Sequence, residues 1–385
     1  MKPSVWLGAR SSGGMALPDA SPAPCQFYAP RGVFFDDSFF VAVDTGNHRV
    51  LIWRGLPEDD AQPADLVLGQ QDLYSEGPKR AGTSIENGMY LPTAAGIWEG
   101  KLLIADAWHH RILVWNTVPR FSDTPPDYAI GQPDLKSVEA NRGASTSREG
   151  LSSPYGMAWI KEGRGGKLYV TDTGNRRVVG WDGLPKPGLP PDYLLGQPSW
   201  ERGEENRGEG VGARSFRWPH SIANVGDYVY VADAGDHRIL GWRGDLTEDR
   251  DADIMFGQTA IANAEEFAYR KQGAARLRFP YAIATDGQSL AIGDTANNRI
   301  LIWKALPNGL IASPAADSVI GQPDFDANGE NHWKAVTPET LCWPYGLCWH
   351  KDKLAVADSG NNRVMIWTTA NISRDTSAEH SLLAV

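Results

Sequence analysis

Six residues in this chain each follow a proline that opens an apolar run: Arg31, Thr93, Tyr155, His220, Tyr281 and Tyr345. A histidine and three tyrosines at equivalent places could hold and protonate a small polar molecule, with His220, Tyr155, Tyr281 and Tyr345 as acid–base groups. His220, in the stretch SFRWPHSIAN, is also a residue type that ligates metals. A catalytic zinc needs three protein ligands, and the other five positions supply no histidine. His220 therefore stands as the sole metal candidate, and the expectation is that no metal or other cofactor is held. The plain alternative to chemistry is a satisfied polar ring around channel water.

A second set of charged residues recurs with a fixed spacing. Asp and Arg bracket the hexads DTGNHR, DAWHHR, DTGNRR, DAGDHR, DTANNR and DSGNNR, at 44–49, 106–111, 172–177, 233–238, 294–299 and 358–363. Their starts lie 62, 66, 61, 61 and 64 residues apart. Six copies of one pair cannot be one active site, so the pair reads as a turn clasp. In that reading the Asp accepts N–H bonds within the turn, and the hexad glycines supply positive φ. His48, His110 and His237 occupy the fifth hexad position in three different units, too far apart to share a metal. Cys25 and Cys342 precede the apolar runs of two units, and a site combining them with His220 would join units that are not adjacent.

Such repeats come before any other reading of the chain. Each hexad leads through apolar residues to a tryptophan: Trp53, Trp115, Trp181, Trp242, Trp303 and Trp367. Further on come DLVLGQ, DYAIGQ, DYLLGQ, DIMFGQ and DSVIGQ, five copies for six hexads. The sixth is displaced to the start of the chain, where PSVWLGA puts Gly8 sixty-one residues before Gly69. Each unit reads as four short strands, a to d, with continuously apolar runs such as RILVW that suit a sheet covered on both faces. The expected fold is all-β: a single domain over 1–385, a six-bladed β-propeller of four-stranded antiparallel blades. The strand at 3–10 completes the last blade, and residues 370–385 form a tail.

These residues resemble the NHL-repeat family, whose pattern is matched best by PYGMAW with LYVTDTGNRRV and by PYGLCW with LAVADSGNNRV. The GQPD after strand d is similar to a bacterial subset of that family. The resemblance spans the chain to about residue 370 and implies the propeller, not one function, because NHL propellers include enzymes, scaffolds and RNA binders. Among six-bladed relatives, peptidylglycine amidating lyases bind zinc through Pro-His positions, and WPHS is similar to that motif. Calcium-dependent lactonases of the same architecture line the channel with Asn, Asp and Glu. The comparable positions here, Phe34, Ile97, Trp159, Asn224, Thr285 and Trp349, make no oxygen cage.

Composition narrows the partners. A net charge of −10 without a basic block argues against nucleic acid and against an anionic membrane surface. No apolar run has the length of a signal peptide or a membrane span, and three cysteines make no disulfide framework, so a cytoplasmic protein is expected. The d–a connections run to roughly twenty residues and carry surplus aromatics, which makes their face the default binding surface. Its expected binding residues are Arg31, Trp108, Tyr155, Trp200, Trp218, His220, Tyr281, Trp333, Trp343 and Tyr345, with Tyr269 on the same loops. The leading reading is a binding scaffold for a protein partner or small ligand. The alternative is a lyase or hydrolase acting at the channel mouth.

Overall fold

The computed structural model describes residues 2–8, 20–162, 165–267, 270–304 and 313–369. Its strands form six sheets of four antiparallel strands, arranged as the blades of a six-bladed β-propeller. Blade 1 runs Gly32–Phe35, Phe39–Asp44, Arg49–Arg54 and Leu66–Leu68. Blades 2 to 5 repeat this order, with innermost strands Ala94–Trp98, Pro154–Glu162, Pro219–Val225 and Pro280–Thr285. Blade 6 has Pro344–His350, Lys353–Asp358 and Arg363–Thr368, and its outer strand is Val5–Gly8 from the other end of the chain. Val5 pairs with Ile366 and Gly8 with Arg363. Both sequence ends thus meet in one sheet, which removes two unpaired edges. Residues 9 and 10 of the expected strand, Tyr269 and the tail 370–385 lie outside the described residues.

Apolar runs face both ways for a visible reason. Six clusters of buried side chains each lie between two neighbouring blades. One joins Val33, Phe35 and Ala42 of blade 1 to Val5, Leu7 and Ile366 of blade 6. Another joins Val231 and Leu240 of blade 4 to Tyr169 and Val178 of blade 3. Each strand therefore gives alternate side chains to opposite neighbours, so both faces must be apolar. The six hexad tryptophans are buried in this packing. Five of them donate their indole N–H to a carbonyl of the c–d loop, as Trp53 does to Gln62 at 3.0 Å.

The hexads do more than close a turn. In all six blades the Arg Nε donates to one Asp oxygen over 2.6–3.1 Å, with both side chains fully buried. The other Asp oxygen does not bond within the turn, as the sequence suggested. It accepts a backbone N–H sixteen residues earlier at Tyr28, Tyr90, Arg217, Arg278 or Cys342, and twenty residues earlier at Ser152 in blade 3. The remaining guanidinium nitrogens donate to carbonyls of the long connections, as Arg49 does to Leu73, Ala23 and Gln26. One buried ion pair thereby fixes both the b–c turn and the end of the d–a loop. Buried charges need such full satisfaction, because each would otherwise cost several kcal/mol.

The hexad glycines also serve another purpose than expected. The left-handed residue is the fifth of the hexad: His48, His110, Arg176, His237, Asn298 and Asn362, with φ of 52–56°. The glycine at the third position is not in that region. Gly46 is required because a Cβ there would sit 2.5 Å from the Tyr28 ring, and Gly360 because one would strike Cys342. In these blades the d–a loop passes too close for a side chain, whereas blades 2 and 5 carry Trp108 and Ala296 at the same position.

That left-handed fifth residue reaches the next blade. His48 Nδ1 accepts the backbone N–H of Leu91 at 3.0 Å, and His110 Nδ1 that of Ser153 at 2.9 Å. Asn298 and Asn362 do the same through their amide oxygens, to Trp343 and Ala29. Arg176 has no acceptor, and in its place Trp218 N–H turns to Asp233 of its own blade at 3.1 Å. The histidines that could have suggested a metal are blade-to-blade acceptors.

Candidate functional site

The six residues after the strand-a prolines converge. Arg31, Thr93, Tyr155, His220, Tyr281 and Tyr345 line one cavity of about 140 Å³ at the ring centre, on the side of the hexad turns and d–a connections. The propeller brings them together because each begins the innermost strand of its own blade. Behind them the cavity wall is mainly apolar, with Val33, Met157, Ile222, Ile283 and Leu347, and one hydroxyl, Ser221, which accepts the Ile283 N–H at 3.2 Å. Of the six positions expected to line the channel, only Phe34 reaches this cavity. The wall is built mainly from the first three residues after each proline, with Phe34, Trp98 and Cys348 beside them.

The aromatic members pack edge to face in sequence around the mouth. Tyr155 and His220 have ring centroids 4.3 Å apart, His220 and Tyr281 4.4 Å, and Tyr281 and Tyr345 4.6 Å. Arg31 closes the arc, its guanidinium carbon 4.7 Å from the centre of the Tyr345 ring. Thr93 turns away, donating its hydroxyl to the Tyr155 carbonyl at 2.7 Å.

His220 is buried, and its Nδ1–H donates to the Trp218 carbonyl at 2.8 Å. That bond sets the tautomer and leaves Nε2 as an acceptor. Burial, with Arg31 adding a smaller repulsion, pushes the imidazole down to about 3. Burial also raises Tyr155 to about 12, and raises Tyr281 and Tyr345. At neutral pH the ring holds a neutral histidine of low basicity and fully protonated phenols. A group suited to general acid–base work has a pKa near the operating pH, and these are displaced from it in opposite directions. The expected convergence of these residues is present, with burial moving the histidine and the phenols away from neutrality.

The expected binding residues divide by exposure. Trp108 is 54% exposed, Trp333 68% and Trp343 36%. Trp343 stacks on Tyr345 at 6.3 Å, so an aromatic path leads from the rim to the mouth. Trp200 and Trp218 are not free in the same way. Trp200 is half-buried between Arg148 and the hexad Arg177, and Trp218 stacks on Phe279 under Arg217. Long loops folding back on the blades give their aromatics partners. Sequence reasoning missed Tyr28 and Tyr74, which are 50% and 69% exposed on the same connections. The signal for Tyr28 was its place two residues before a strand-a proline, where Tyr90 stands in blade 2. These exposed aromatics thus lie on the d–a connections and hexad turns of blades 5, 6, 1 and 2, while Phe121, 76% exposed, lies on the c–d connection of blade 2.

Among the described residues, no group of three or more His, Cys, Asp or Glu is placed to hold a metal ion. None of the described helices is long and apolar enough to cross a membrane.

No family model matches this chain, and no curated protein does. Solved structures of similar shape include virginiamycin B lyase from Staphylococcus aureus, at 12% identity and TM-score 0.45, covering 90% of this chain and 97% of that one. The WD40 β-propeller domain of Doa1 is similar at 12% identity and TM-score 0.45, over 94% of this chain and 96% of that domain. Hydrazine synthase of Kuenenia stuttgartiensis is similar at 12% identity and TM-score 0.48, over 89% of this chain and 96% of that one. At this distance such likenesses say nothing of activity or ligand, and the propeller assignment rests on the chain's own strand pairing.

Proposed function

We propose that this chain is an NHL-type propeller whose task is binding: a rigid ring that presents an aromatic surface to a protein partner. The observation that carries this reading is the set of exposed aromatics Tyr28, Tyr74, Trp108, Trp333 and Trp343 on the d–a connections and the blade 2 hexad turn, against one, Phe121, on a c–d connection. Aromatic side chains bring large contact area for little lost freedom, and they dominate binding energy where they cluster. The hexad network supports the same reading, because it holds the loops that carry these rings. An enzyme at the channel mouth is the weaker reading, since the cavity is below the roughly 300 Å³ of ordinary small-molecule sites and its ring is not poised for proton transfer.

Site-specific photo-cross-linking in cells tests the proposal, with the reactive group placed at Trp108, at Trp333 and, as control, at Gln288 in an a–b turn on the opposite face. The expected result is a discrete cross-linked protein from Trp108 and Trp333 and none from Gln288. Equal, diffuse labelling from all three positions would overturn the reading.

A further inference from the structure

We propose that the channel mouth binds a short aliphatic monocarboxylate, its carboxylate on Arg31 and its alkyl chain against the apolar wall. This goes beyond the partner surface described above and does not depend on it.

The first ground is charge. Six hexad arginines are buried in this molecule, and each has its carboxylate. Arg31 differs from them: it is half-buried, no carboxylate among the described residues stands within ion-pair distance, and its side chain meets the Tyr345 ring and the Tyr155 hydroxyl. It is also the one charged residue among those lining the cavity. A half-buried cation without a counter-charge is an incomplete arrangement, and a bound anion completes it.

The second ground is an unmet polar atom. Tyr155 is 9% exposed and lines the cavity, and its buried hydroxyl has the Arg31 guanidinium as its neighbouring donor but no acceptor for its own proton. Arg31 and Tyr155 stand side by side in the cavity, so an anion held by the guanidinium lies within reach of the phenol's free proton. A planar guanidinium matches a carboxylate with two parallel N–H bonds, and a phenol can add a third. His220 stands aside, since its Nδ1–H is engaged with Trp218 and Nε2 is an acceptor.

Charge and volume set the class. A single cation balances a monoanion, which disfavours phosphate dianions. A cavity of about 140 Å³ has room for only a few heavy atoms beyond the carboxylate. Val33, Met157, Ile222, Ile283 and Leu347 suit an alkyl chain and give no partner to further polar groups.

Calorimetric titration and thermal shift with sodium butyrate test this, with butan-1-ol, phosphate and chloride as comparison probes. Butyrate is expected to bind and raise Tm with concentration, while butan-1-ol and chloride at equal concentration do not. Arg31→Gln should weaken butyrate by at least about tenfold, as loss of a charge-assisted pair does. Tyr155→Phe should weaken it less, and Trp333→Ala should leave it unchanged, which separates this site from the aromatic surface. If Arg31→Gln does not fold, Arg31→Lys keeps the charge without the fork and should still lose affinity. No binding of butyrate to the unmodified protein, undiminished binding by the Arg31 variants, or tighter binding of phosphate would each overturn the proposal.

Discussion

His237 Nδ1 accepts the backbone N–H of Phe279 at 3.2 Å, which ties blade 4 to blade 5. The same atom of His48 and of His110 ties blades 1 to 2 and 2 to 3. Asn298 and Asn362 make the equivalent bonds without a titratable group. The ring is therefore stapled at five of its six interfaces, and three of the staples can be opened by a proton.

Acid should weaken those three staples. Burial pushes His48 and His110 below their ordinary range and His237 to about 4. A folded-state pKa below the unfolded value of about 6.5 means that the stabilisation is complete above that pH and is lost as pH falls toward the folded value. The triple variant H48N/H110N/H237N keeps an acceptor at each place. Its Tm should fall less between pH 7 and pH 5 than that of the unmodified protein. Parallel falls would show that the staples do not carry the acid sensitivity.

Blade 4 carries a second departure from the repeat. Five hexads place Asn or His at the fourth position, where it donates to the Asp. Blade 4 has Asp236, buried, with neither oxygen hydrogen-bonded and the nearest Arg238 nitrogen at 3.5 Å. Burial, and then the Asp236 charge, hold the Asp233 carboxyl well above the usual range against the pull of Arg238. A raised carboxyl is harmless when protonated, and its cost to the fold grows as pH rises through the folded value. Asp236→Asn should therefore stabilise the protein by about 1–3 kcal/mol at pH 8 and by less at pH 5 in denaturant titrations. A loss of stability at both pH values would contradict this.

Gly360 has an ordinary backbone, so its replacement tests close approach alone. Gly360→Ala should lower stability by about 1–3 kcal/mol, because the added carbon meets Cys342. Blade 5 carries Ala296 at the equivalent place, with its N–H and its carbonyl both bonded back to Arg278. A denaturant midpoint unchanged in Gly360→Ala would mean that the loop moves aside freely.

The imidazole of His220 should remain neutral, with Nδ1 protonated, down to about pH 4 in nitrogen-15 NMR spectra, since its burial drives it to about 3. A midpoint near 6 would mean that water reaches the ring and would restore the acid–base reading of the mouth.

Much of this architecture was legible in the chain. A hexad that recurs every 61 to 66 residues, with its tryptophan and Gly-Gln, dictates six four-stranded blades, since only stacking such units around an axis covers both faces of every strand. The displaced copy at Gly8 dictates the ring closure. The shared position of Arg31, Tyr155, His220, Tyr281 and Tyr345 is likewise a matter of register. Tertiary structure alone decided what those residues are. Burial, which no residue type reveals, pushes the His220 imidazole well below its ordinary range, and the fold sets no described carboxylate beside Arg31. Loop paths, which depend on contacts far apart in sequence, covered Trp200 and Trp218 and left Tyr28, Trp108, Trp333 and Trp343 in the open. They also explain why the hexad glycine answers to a neighbouring loop and not to its own φ. Periodicity sets position, whereas solvent access and charge pairing are set by the neighbours the fold supplies.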